Sequence, residues 1–146
     1  MVADRQRWAA VLARASGAAI AALLAEAPPL PAHRRLRGPE TGLVMVRGRA
    51  GGTGQAFNLG EMTATRCSVV MEGGAAGHAM VAGRDGRHAE LAAVLDAAAQ
   101  DAAWREAVEG VVIGPLAAAQ AAARERTARK AAATRVQFFT LATMRS

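Results

Sequence analysis

Tyrosine is absent from this chain of 146 residues, and aromatic residues make up only 3% of it. A core without large rings rests on small aliphatic side chains, each burying little area at roughly 25 cal/mol per Å². Modest stability, improved by a partner, is therefore expected. The same scarcity leaves no aromatic pair on adjacent strands for stacking bases, which argues against a nucleic-acid-binding module despite a pI near 11.3. The single cysteine, Cys67, excludes an internal disulfide and a multi-cysteine zinc or iron–sulfur site. Lysine occurs once, at Lys130, so arginine supplies nearly all the positive charge. Arginine favours planar, bidentate partners such as carboxylate and phosphate. No signal-peptide core stands at the N-terminus and no apolar run is long enough to span a bilayer, so a soluble cytoplasmic domain is expected.

The net charge of +6 is unevenly distributed. Residues 84–120 carry −3 while residues 121–146 carry +5. A basic C-terminal segment suits an acidic protein surface, a phosphorylated ligand or nucleic acid. The pattern divides the chain into an α+β core over residues 1–115 and a basic helix with an apolar arm over 116–146.

Asp4 is placed to cap a first helix, whose apolar positions Trp8, Val11, Leu12, Ala15, Ala19, Leu23 and Ala27 recur every three or four residues until Pro28. His33–Pro39 follows as a basic connector, either a solvated linker or a loop that touches an anion or partner. Strands are expected at Gly42–Arg49, Gln55–Leu59, Glu61–Glu72 and His78–Gly83. Together they make an antiparallel meander of about four strands with glycine-rich turns. Asp85 caps a central helix with Leu91, Val94, Leu95, Ala98 and Ala102 towards the sheet and Asp96, Gln100 and Asp101 towards water. Gly114-Pro115 opens a last helix, Leu116–Ala133, which has almost no large apolar residue after Leu116. Phe138, Phe139, Leu141 and Met144 then form an apolar end, which either docks on a partner or folds back onto the sheet.

Most residues with chemical capacity lie between Gln55 and Leu95. Gly51-Gly52-Thr53-Gly54 lacks the Lys-Ser/Thr of a phosphate-binding loop and leads into a strand, so a stand-alone phosphate-handling enzyme has weak support. The histidines have no metal-ligand spacing. Cys67 shares a strand face with Val69 and Met71 and reads as a small buried hydrophobe. Arg66, on the other face, is either paired with Glu61 or Glu72 or aimed at an anion or partner. Arg84 precedes the capped helix, where negative charge is favoured. Arg47, Arg49, Asn58, Glu61, Arg66, His78, Arg84 and His88 are thus candidates for phosphate or partner binding. No catalytic or metal-binding set is complete.

GLVMVRGRAGGTGQAFNLGEMTATRC, GHAMVAGRDGRHAELAAVLDA and the ending AAATRVQFFTLATMR resemble the PhnG family, the small G subunits of the bacterial carbon–phosphorus lyase machinery. The FNLGE-x-T-x-TRC block and the GRD-x-x-x-AE junction carry the resemblance, which covers nearly the whole chain. It implies an essential non-catalytic subunit assembled with the H, I and J subunits in a core complex. With the I and H subunits and the ATP-binding L protein, such a complex supports attack of a phosphonate on the ribose C1 of MgATP. Adenine leaves, and a ribose 1-phosphonate 5-triphosphate forms. MgATP would be substrate of the complex, and this chain alone would bind no cofactor.

Deleting residues 134–146 should leave a soluble, helical chain that no longer co-purifies with co-expressed partner subunits. Full-strength assembly of the truncated chain, measured by size exclusion, would show that the arm is not the dock.

Overall fold

The computed structural model describes residues 2–51 and 53–136. It divides into two compact units, Met1–Leu116 and Ala117–Ser146. In the first, helices α1 (Val2–Arg14) and α2 (Gly17–Leu24) precede strands β1 (His33–Gly48), β2 (Phe57–Met71) and β3 (Ala76–Ala82). Helices α3 (Gly86–Ala98) and α4 (Ala102–Ala107) follow. A wide π-helical stretch, Val108–Ile113, then buries Val112 and Ile113 and runs into α5 (Gly114–Ala133). This is the α+β class expected from the sequence.

The N-terminal helix is two helices, bent by 112° at the break. Asp4 lies within the first turn of α1 and is not its cap. The apolar spacing runs through the break, so periodicity alone misses it. Ser16 starts the new helix by accepting a hydrogen bond from the Ala19 amide at 3.1 Å, as an N-cap does. Gly17 follows because a Cβ there would come within 3.0 Å of both Asp85 Oδ2 and His88 Cβ.

The sheet has three strands in the order β1-β2-β3, antiparallel throughout. The two segments expected as second and third strands are one. Gly60 pairs with Val46 inside the ladder, and the register shift between Val46 and Arg47 leaves Leu59 as the extra residue. The basic connector is also strand, pairing from His33↔Met71 onward with shifts around Arg37. At Gly38 the backbone turns to φ +71°, and a Cβ would lie 2.7 Å from Arg66 O, so only glycine fits.

One face of the sheet is covered. Alternation on β2 puts Thr65, Cys67, Val69 and Met71 on the buried side. Against them lies α3, whose Ala89, Ala92, Ala93, Leu95, Ala97 and Ala98 are all at most 2% exposed. With alanine as the contact surface, the helix backbone approaches the sheet closely. At Gly77 a Cβ would run into Ala93 O and come within 2.6 Å of Ala97 N.

Asp96 corrects the expected solvent face of α3. It is buried, and its carboxylate accepts from Arg5 Nε at 2.9 Å, Arg5 Nη2 at 2.7 Å and the His78 amide at 2.9 Å. Gln100 donates to Ala76 O at 2.8 Å. An edge strand leaves amides and carbonyls unpaired, and these two side chains satisfy the start of β3. Asp101 is exposed and caps α4 through the Ala103 amide.

In the second unit, α5 exposes side chains on every side from Ala121 to Ala133. Glu125 and Arg129 pair along it at 3.6 Å. The apolar end, Phe138, Phe139, Leu141 and Met144, lies outside the described residues.

Gly77→Ala should lower stability by about 3 kcal/mol or more, since the added methyl meets backbone on a packed helix. Gly73→Ala, where a Cβ meets nothing within 4 Å, should stay within about 0.5 kcal/mol of wild type. Thermal unfolding of the two variants checks both.

Candidate functional site

The side of the sheet opposite α3 is bare of helices in the first unit. Register places Arg34, Val70 and Ala76 in one row across it, then Arg37, Ser68 and His78, then Glu40, Arg66 and Met80. Gly42, Ala64 and Ala82 follow, and the small side chains of this last row leave a shallow hollow of about 200 Å³. Its rim is formed by Glu40, Arg66, Val44 and Met80.

Arg66 pairs with Glu40 at 3.3 Å, and not with Glu61 or Glu72. Glu40 also takes a close hydrogen bond from Arg37 Nε. Arg37, with a smaller contribution from Arg66, holds the Glu40 carboxyl below its ordinary range. His78 is exposed, with Nδ1 2.9 Å from Ser68 Oγ. Arg66 and His78 are therefore diagonal neighbours on one open face.

The other candidates are scattered. His88 is 5% exposed, with Nε2 2.8 Å from Leu12 O and its amide donating to Asp85 Oδ1 at 2.9 Å. It ties α3 to α1 and has no access to a ligand, which corrects its place among the binding candidates. Arg84 is exposed in the turn before α3. Arg47, Arg49, Asn58 and Glu61 are exposed at the far end of the β1–β2 hairpin, where Arg47 donates to Ala56 O at 3.3 Å.

Beneath the sheet, Cys67 is 2% exposed, and burial pushes its thiol up, away from the thiolate a nucleophile requires. Nearby Glu90 accepts two hydrogen bonds from Arg35, both at 2.7 Å, and lies 3.5 Å from His33 Nε2. The Arg35 hydrogen bonds hold Glu90 below the ordinary carboxylate range, against the opposing effect of burial. Among the described residues, no group of three His, Cys, Asp or Glu side chains is arranged to hold a metal ion. No single helix among them is long and apolar enough to cross a membrane.

Sequence reasoning missed Glu40, Arg37 and the Arg35–Glu90 pair. The signal was the basic connector itself: read as strand, its register puts Glu40 opposite Arg66.

These features describe an α+β chain in which Arg66 pairs with Glu40, Arg35 with Glu90 and Arg5 with Asp96, while one sheet face and a hairpin are left open. The chain belongs to the PhnG family: the model for "Phosphonate metabolism protein PhnG" matches residues 3–144. It is also 44% identical over 140 residues to the alpha-D-ribose 1-methylphosphonate 5-triphosphate synthase subunit PhnG of Rhizobium meliloti (strain 1021). That alignment covers 96% of this chain and 89% of the relative.

Glu90 has its carboxyl depressed by folding, so its stabilising effect is complete above the unfolded pKa and disappears as pH falls through the lower folded value. Wild type should lose Tm as pH drops from about 5 towards 3. Glu90→Gln should start lower at neutral pH and show a shallower slope over that window. Equal slopes by differential scanning calorimetry would remove the pair from the acid response.

Proposed function

We propose that this chain is a non-catalytic but essential subunit of the carbon–phosphorus lyase core complex, assembled in the cytoplasm with its H, I and J subunits. In that complex it supports formation of ribose 1-phosphonate 5-triphosphate from MgATP and a phosphonate, with release of adenine. The observation that carries this reading is the 44% identity, across nearly the full length, to a protein named as a synthase subunit. The geometry supports the non-catalytic part. The groups best suited to chemistry are engaged: Cys67 is a buried thiol, His88 joins two helices, and Arg66 is paired with Glu40. Nothing here requires this chain to hold MgATP. Its contribution is to hold the parts that do.

A nucleic-acid-binding role is less well supported. The open sheet face carries Arg34, Arg37 and Arg66, and the ring in register with it, Phe57, lies far out on the hairpin, whereas single-strand binding on a sheet depends on stacking successive bases.

Reconstitution tests the proposal. The complex assembled with this chain should release adenine from MgATP in the presence of a phosphonate, and the same preparation without it should lose at least about a hundredfold in rate, the scale at which an essential component is distinguished from an accessory one. The chain alone should release none. Adenine release by the isolated chain would overturn the non-catalytic reading. Undiminished turnover without it would overturn the essential one.

A further inference from the structure

The large apolar side chains that the fold leaves exposed are concentrated in one place. β3 pairs with β2 only from Ala64 to Val70, so beyond Gly42 and Ala64 the β1–β2 hairpin continues as a two-stranded ribbon. On it Leu43 is 64% exposed, Met45 53%, Leu59 57% and Phe57 46%. Met62, on the face opposite Leu43 and Met45, is 40% exposed. A two-stranded ribbon is at best marginally stable in water, and this one exposes large apolar side chains on both faces, Leu43 and Met45 beside Glu61 on one and Met62 and Phe57 on the other. A Cβ at Gly48 would run into Leu59, so the glycine makes room for a leucine that is nonetheless left mostly in water.

The charge at the tip identifies the occupant. Arg47 stands opposite Asn58, between Leu59 and Phe57, and Arg49 lies past the end of β1 in the turn that leads to Phe57. Insertion of the ribbon into a lipid layer would carry both guanidinium groups in with the apolar side chains. A protein slot with apolar walls and carboxylates at its far end accommodates both parts.

We infer that this ribbon is a plug, additional to the C-terminal arm, by which the chain enters another subunit of the synthase, which receives it between two apolar walls and pairs carboxylates with Arg47 and Arg49. This rests on the reading of the chain as a synthase subunit and adds the surface by which it docks. The side chains of the slot bury both faces of the ribbon, the arrangement that gives an isolated hairpin a fixed structure.

The test is co-expression of the full chain with the synthase's other subunits, followed by affinity purification and titration. Met45→Asp combined with Leu59→Asp should weaken association by about thirtyfold or more, the scale of a central anchor. Arg47→Glu with Arg49→Glu should weaken it about tenfold, with a reduced salt dependence. Circular dichroism of each variant alone should match wild type. If the double aspartate variant loses that signature, Leu43→Ser with Phe57→Ser replaces it, with a tenfold loss expected. Wild-type binding by the ribbon variants overturns the inference and leaves the subunit reading standing. A wild-type chain that fails to co-purify removes both. Concentration-dependent self-association by sedimentation, abolished by the same variants, would give the ribbon to a second copy and overturn the proposal. Variant-sensitive co-sedimentation with phosphatidylglycerol vesicles would overturn it in favour of a membrane.

Discussion

The approach of α3 to the sheet at Gly77 is the constraint on which the first unit depends. Alanine-rich helices bury little area per residue, so they gain stability by coming close enough for backbone to touch backbone. That closeness leaves no Cβ at Gly77 and brings the carboxylate of Asp96 onto the His78 amide. Arg5 then neutralises the buried charge from α1, and the N-terminal helix is thereby fixed to the edge of the sheet. A buried carboxylate with two guanidinium hydrogen bonds and one amide bond is well satisfied, and removing any partner would expose the desolvation cost of the rest. Packing and electrostatics are therefore one arrangement here.

Much of this was legible in the residues. The buried face of β2 follows from alternation at Thr65, Cys67, Val69 and Met71, and Asp85 before Gly86 marks the start of α3. What stayed hidden depended on tertiary partners. The run of arginines ending at Gly38-Pro39 has the composition of a loop, yet its backbone pairs with β2, and Glu40 and Arg66 meet across the ladder just after it. Asp96 looks like a surface residue of an amphipathic helix until the edge of β3 is beside it. The break before Gly17 is invisible to apolar spacing, since Val11, Leu12 and Ile20 are all buried on either side of it. His88 shows the same limit from the other direction: a histidine near a helix start resembles a ligand, but its ring serves Leu12 O.

The candidate site was legible in outline only. Arg66 and His78 do share a face, as alternate positions on neighbouring strands require. Their engagement by Glu40 and Ser68 is a matter of register, which short glycine-rich turns do not specify on their own.

Among the described residues, no strand pairs with the outer edge of β1. Its first half carries Arg34, Arg35 and Arg37 and then Pro39, residues that discourage strand addition by a stranger. From Thr41 to Val46 the sequence reads TGLVMV, without a charge or a proline, the composition of a segment that seeds cross-β stacking. Whatever packs beside that half of β1 therefore also closes a route to strand-on-strand association.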